Sequence, residues 1–359
     1  MSTSTAVTAG RMGVEARFSW KRWGIPITAG LLILASLASL FVGAAQLPAS
    51  QVLQALGSAL GLLSDTADPW ADTIIMELRL PRILLGLLVG GALGLSGAMM
   101  QGMFRNPLAD PTLIGVSSGA ALGASTMIVM SRRWLVYEGW IAQLLVPLAA
   151  FGAGLLTTLL VYRLAVRGRR TVVATMLLAG IAVNALAFAG TGLWTFVADD
   201  AELRDISYWT LGSVAGANWS KIIILGSVML AAVAASLRTG PSLDALLLGE
   251  VEAEHLGVDA HRLRRGLVTG AAAMVGIAVA VSGQISFVGL VVPHVMRLIF
   301  GPGHRRLLPL SLLGGAFVLV LSDMIARVVI APVELPIGIM TAFLGAPFFV
   351  WLLRNQGGI

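Results

Sequence analysis

The sequence predicts an all-α integral membrane protein with about ten transmembrane helices, forming one transmembrane domain over residues 1–359. Three observations lead there. Hydrophobic residues make up 57% of the chain and charged residues only 12%, about half the charged share of an ordinary globular domain. A mean hydropathy of +0.89 is more apolar surface than a soluble core of this size can absorb. The chain also carries 42 glycines, the small residue that lets helices approach closely where lipid removes the hydrophobic drive between them.

The first apolar run, 24–45, follows the basic residues Arg17, Lys21 and Arg22. Gly43-Ala44-Ala45 looks like a cleavage site, but the run is too long for the apolar core of a signal peptide, so a retained helix is expected. Further runs at 82–101, 113–130, 141–165, 172–197, 219–237, 265–283, 307–330 and 336–353 are each long enough for a bilayer core of about 30 Å. A tenth, 286–301, is short and holds Pro293. Such a segment is tolerated where neighbouring protein satisfies its freed backbone groups, so it is expected inside the bundle. Glycines recur every fourth residue at Gly86, Gly90 and Gly94 and at Gly115, Gly119 and Gly123, a packing pattern. Ser96-Gly97 and Ser282-Gly283 occupy comparable places in the two halves, which suggests an inverted pair.

Charge sets the expected orientation. With the tail 1–20 placed in the cytoplasm, most of the 24 lysines and arginines fall on the same side, including Arg11, Arg105, Arg163, Arg169, Arg238, Arg262, Arg264, Arg305 and Arg354. The opposite side receives Arg79, Arg82, Arg132, Arg133, Arg204, Lys221 and Arg327, together with Asp65, Asp68, Asp199 and Asp205. Both termini are therefore expected in the cytoplasm. Two cytoplasmic stretches interrupt the pattern, 102–112 and 238–264. In the second, Leu246, Leu247, Leu248, Val251 and Leu256 alternate with Glu250, Glu252 and Glu254 and are broken by Gly249 and Gly257. That pattern predicts two short amphipathic helices around a turn, and a surface for a partner.

Few residues could carry chemistry. Asp323 and Arg327, four apart, share a helix face and can neutralise one another; His294 and Arg297 follow Pro293 towards the cytoplasmic end of the short run. A proton relay would need several acids across the bilayer, and only Asp323 is offered, which weakens a secondary transporter. A membrane-embedded enzyme would need a catalytic cluster, and no His-Glu-x-x-His or Gly-x-Ser-x-Gly pattern occurs. The absence of cysteine excludes thiolate metal sites. Neither Lys21 nor Lys221 lies in a glycine-rich phosphate loop, so any drive from ATP must come from another subunit. The basic residues lie in short clusters between apolar runs, which fits membrane loops better than nucleic acid.

Taken together, several strings closely resemble the permeases of the type II ABC importer family, which import iron siderophores, haem and cobalamin. They are RLPR at 79–82, SGAMMQGMFRNPLADPTLIGVSSGA at 96–120, LLAG at 177–180 and LGEVEAEHLGV at 248–258. GQISFVGLVVPHVMRLIFG at 283–301, SDMIAR at 322–327 and ELPIGIMTAFLGAPFFVWLL at 334–353 complete the set. The resemblance runs from about residue 20 to 354 in the expected order.

It implies a multi-pass protein of the bacterial inner membrane that works as a homodimer with two cytoplasmic ATP-binding subunits and a periplasmic binding protein. No cofactor is implied for this chain; ATP and Mg belong to the partner ATPase. The cargo would be an iron chelate, haem or a ferric siderophore, with cobalamin the alternative. Leu248, Gly249, Glu250, Ala253, Leu256 and Gly257 would couple to the ATPase, and Arg79, Arg82 and Arg327 would meet acidic residues of the binding protein. Arg327 can instead pair with Asp323, or do both. Met176 and Asn184 would line the substrate pathway. A pathway that must release its cargo should bind weakly, so no metal-ligand set is expected.

Overall fold

The computed structural model describes residues 22–43, 45–62, 68–134, 140–167, 170–171 and 173–356. The expected cytoplasmic tail 1–20, with Arg11 and Arg17, lies outside them, as do Lys21, Ala44, Asp65 and Arg169. Fifteen α-helices follow one another among the described residues: α1 Gly24–Phe41, α2 Ala49–Ala59, α3 Pro69–Thr73, α4 Leu80–Phe104, α5 Val116–Arg133, α6 Trp140–Ala165, α7 Val173–Val197, α8 Asp200–Leu211, α9 Trp219–Leu237, α10 Gly240–Leu248, α11 Glu250–His255, α12 Ala260–Ser282, α13 Val288–Phe300, α14 His304–Ala326 and α15 Ile337–Gln356. A π-helical stretch, Ile74–Arg79, joins α3 to α4, and a two-residue antiparallel ladder, Val166–Arg167 with Arg170–Thr171, joins α6 to α7.

By length and apolarity, seven helical segments among the described residues can cross a membrane: those built on α1, α4, α6, α7, α9, α12 and α14. This is fewer than the ten expected, and composition explains the difference. The expected span 113–130 is α5, rich in Gly, Ala and Ser and ending in Arg132 and Arg133. The run 286–301 is the 13-residue α13, and the apolar part of α15 is also short, Ile337–Leu352.

Helix α4 is the axis of the bundle. Its spanning window is 83% buried, against 22% for those of α1, α6 and α7. Packing against α14, α12, α13 and α9 accounts for this. The α4–α14 contact is antiparallel and nearly backbone to backbone. Gly90 meets the Gly315 carbonyl, Gly94 meets that of Ser311, and Gly86 lies opposite Val320. The second glycine series works similarly but is shorter than expected. Gly119 and Gly123 lie against α6 at Ala153 and Ala149, whereas Gly115 precedes the helix in a left-handed conformation, φ +86°.

The proposed inverted pair is not equivalent in structure. Gly97 lies within the unbroken α4, kept small by the Gly289 carbonyl of α13 crossing it, while Gly283 ends α12 at φ +69°. The short run 286–301 is half inside the bundle: Val288, Gly289, Val292, Pro293 and His294 of α13 are buried, but Leu298 and Ile299 are exposed.

Candidate functional site

Because α4 and α14 run antiparallel, the start of α4 meets the end of α14 at one end of the bundle, and their other termini meet at the opposite end. Arg82 and Gly102 are 20 positions apart on α4, so the two ends are separated by roughly 30 Å at a helical rise of 1.5 Å per residue.

The first end holds a charge cluster. Arg82 donates from Nε and Nη2 to Asp323, at 2.8 Å from Nη2, and from Nη1 to Glu334 at 2.8 Å. Arg327 meets the same Asp323 at 3.1 Å and also reaches the Ser39 hydroxyl and the Val42 carbonyl of the α1 end. Arg79 donates to the Leu40 carbonyl at 2.5 Å and to the Ala45 carbonyl, with no carboxylate among its hydrogen-bond partners in the described residues. These are the three arginines singled out from sequence, and together they line one cavity of about 370 Å³ with Trp70, Ile74 and Glu334. All three are nonetheless largely buried: Arg79 is 5% and Arg327 3% exposed, and the Arg82 side chain 11%. The Asp323–Arg327 pairing expected from their spacing is therefore present, extended by two members that spacing did not suggest, Arg82 and Glu334.

The opposite end carries the hairpin α10–α11. The sequence pattern anticipates both helices; Gly249, at φ +145° and ψ +159°, makes the corner, and Gly257, at φ +83°, makes the exit turn. Leu248, Val251 and Leu256 are 61–67% exposed and surround Glu252 and Glu254. An acidic-edged apolar knob on a short helix pair is a surface that water alone serves poorly. The six residues expected to couple divide by position. Leu248, Leu256 and Gly257 lie on the exposed tip and Gly249 at its corner, whereas Ala253 is fully buried and the part-exposed Glu250 bonds the buried Arg264 at 2.5 Å.

The two residues expected along a pathway lie on α7. Met176 has no exposed surface, and Asn184 is half-buried, accepting a hydrogen bond from Ser118 of α5 at 2.5 Å. The face that α7 offers outward is built instead by Leu178, Ile181, Leu186, Phe188 and Leu193. A second apolar surface is a groove of about 760 Å³ along α15, lined by Ile339, Phe343, Pro347, Val350 and Trp351 with Arg354 at one end.

The family profile of the FecCD transport family matches residues 31–355. The chain belongs to the FecCD transport family. Among curated relatives, it is 42% identical over 314 residues to the hemin transport system permease protein HmuU of Yersinia pestis, covering 85% of this chain and 93% of that one. It is 38% identical over 338 residues to the vitamin B12 import system permease protein BtuC of Klebsiella pneumoniae, covering 94% and 95%. Among solved structures it is similar to a metal-chelate type ABC transporter in an inward-facing conformation, with TM-score 0.78, 32% identity and coverage of 92% and 98%. This FecCD chain is thus a multi-pass membrane protein, whose regular structure among the described residues is helical apart from the short ladder between α6 and α7.

Sequence reasoning missed four residues that hold these two ends: Glu334 beside Arg82, Arg264 beside Glu250, and, where α10 meets the start of α14, Asp244 paired with His304. Each is paired with a residue far away in the chain or in a different helix, and no local spacing signals such a partner.

Proposed function

We propose that this chain is the membrane-spanning permease subunit of a bacterial inner-membrane importer, driven by ATP, that carries an iron chelate such as haem or a ferric siderophore into the cytoplasm. The observation carrying this reading is the near full-length similarity to a hemin transport permease, 93% of which is covered. Cobalamin is the second reading, favoured by similarity at 38% identity to a vitamin B12 permease. The chain would supply the path, and ATP with Mg would be used by a partner subunit. About ten membrane crossings, with α5, α13 and α15 adding to the seven apolar spans, would place both termini in the cytoplasm.

The two ends of the bundle then have distinct roles. The exposed tip of Leu248, Val251 and Leu256 docks the ATPase on the cytoplasmic side, and Gly249 and Gly257 shape it. Arg79, Arg82 and Arg327 face the periplasm, where the cluster's three guanidinium groups outnumber its two carboxylates and attract an acidic binding protein. A second copy of the chain covers the apolar surfaces of α7 and α15, and cargo passes between the two copies. Met176 and Asn184 would contribute to that pathway from behind the exposed face of α7 rather than from its surface.

The deciding experiment is ATP-dependent uptake into proteoliposomes holding the permease, its ATPase and its binding protein, with haem, a ferric siderophore and cobalamin compared. Uptake of one of the iron chelates is expected. Uptake of cobalamin alone would replace the cargo assignment, and uptake driven by an ion gradient without ATP would remove the ABC reading.

The docking tip has its own test. Gly257→Pro fixes φ near −65° where the chain needs +83°, and removes the amide that bonds the Glu254 carbonyl at 2.9 Å. The variant is expected to insert normally but to lose the ATPase during affinity purification. A complex recovered at wild-type stoichiometry would show that this turn does not shape the dock.

A further inference from the structure

The inner side of the α10–α11 hairpin is fastened at two points. Asp244, in the middle of α10, accepts through one oxygen both the His304 backbone N–H at 2.9 Å and the His304 ring Nδ1 at 2.8 Å. It thereby caps α14 from a different element; the residue in the cap position, Gly303, has no side chain to do so. The His304 ring is 1% exposed and is wedged over Gly102 near the end of α4, where an added Cβ would lie 2.5 Å from Nε2. Leu243 is fully buried and meets Gly102 from the same side, Leu246 of the same helix is fully buried too, and Gly240 lies against the backbone of Arg305. The second fastening is Glu250 of α11 to the buried Arg264 of α12. Each hairpin helix thus grips a different span.

From His304, α14 runs to Asp323 in contact with α4 through Gly90, Gly94 and Gly315. Backbone-to-backbone contact of this kind cannot slide by a fraction of a residue without collision, so the two helices move as one rod. At the far end of the rod stands the Arg82–Asp323 cluster.

We infer that Asp244 is a positioning residue that transmits movement of the ATPase-docking tip to α14, and through α14 to α4 and the arginine cluster. This rests on the reading of the tip as the ATPase dock. A displacement of α10 draws the first turn of α14 with it: the Asp244 carboxylate is 40% exposed and could turn to water, but slippage would strand the buried His304 imidazole, whose Nε2 has no partner among the described residues. The Glu250–Arg264 bond delivers the same displacement separately to α12, so the tip moves two spans in concert.

The test uses the full permease assembled with its ATPase and binding protein in proteoliposomes and reads cargo moved per ATP hydrolysed. Asp244→Ala is expected to retain the ATPase and hydrolyse ATP, while cargo per ATP falls roughly tenfold, the shift in a two-state equilibrium caused by losing both hydrogen bonds to His304. Asp244→Asn keeps an oxygen in the same place and is expected to stay near wild type. The chain has no cysteine, so Asp244→Cys combined with His304→Cys gives a clean pair for a short bifunctional thiol reagent. Cross-linking is expected to restore coupling that the unlinked pair lacks, a rescue that a purely structural role would not produce. Unchanged cargo per ATP in Asp244→Ala, equal damage from Asp244→Asn, or no rescue on cross-linking would each overturn the assignment. Loss of the ATPase from Asp244→Ala would also overturn it, making Asp244 part of the dock. Failure of the dock reading itself appears elsewhere, as an ATPase that stays bound to Gly257→Pro.

Discussion

Gly94→Leu is expected to abolish the folded permease. The cause is geometric. Any Cβ at this position would fall within the van der Waals shell of the Ser311 carbonyl and 3.2 Å from Gly315 Cα. The obstacle is main chain on a neighbouring helix, so no rotamer change relieves it. Overpacking against side chains costs about 1–3 kcal/mol, and separating two helices along their whole crossing would exceed that range, because the Gly90 contact, where a Cβ would meet Leu319 Cβ at 2.8 Å, would open as well. The measurement is the monodisperse fraction of detergent-solubilised protein after size exclusion. Gly266→Ala in α12, which meets nothing within 4 Å, is the control and is expected to match the wild type. Recovery of Gly94→Leu at control levels would mean that α4 and α14 can part without loss of the fold, and the rod invoked for transmission would go with it.

How far the sequence could be read depended on whether a feature is local. The runs that became α4, α6, α7, α9, α12 and α14 are visible because apolarity sustained over a helix length has one physical use in a chain this poor in charge. The hairpin α10–α11 is visible because glycines interrupt an amphipathic pattern, and they fall where φ is positive or the chain turns. The count of spans was less legible. Helix α5 achieves close packing with Gly, Ala and Ser, the same residues that lower its hydropathy below that of a membrane span. The charge cluster was half legible: an i, i+4 spacing announces Asp323 with Arg327, but Arg82 lies 241 positions from Asp323 and 252 from Glu334. Only the antiparallel crossing of α4 and α14 brings them together. The burial of Met176 escaped notice because helix periodicity indicates which residues share a face, not which helix that face meets.

Asp323→Ala is expected to be the most destabilising single change at the arginine end, and its contrast with Glu334→Gln separates the structural from the docking role of the cluster. Asp323 is 3% exposed and neutralises both Arg82 and Arg327. Removing it would leave two buried guanidinium groups facing each other, and breaking a buried pair in this way costs about 3–5 kcal/mol. The lower part of that range is expected, since Arg82 keeps Glu334 and Arg327 keeps the Ser39 hydroxyl and the Val42 carbonyl. A fall of the thermal midpoint in detergent would report it. Reversal of Arg82 to Glu would fail for the same reason, setting a third carboxylate against Asp323 and Glu334, and so would say nothing about a partner. The side chain of Glu334 is 37% exposed, and a bond this accessible contributes only about 0–1 kcal/mol. Glu334→Gln should therefore leave the midpoint almost unmoved while uncovering the outer side of Arg82. If an acidic binding protein docks here, its affinity should rise, with a steeper dependence on salt. An unchanged affinity, with the midpoint preserved, would leave the cluster its structural role alone and move the docking surface away from these arginines.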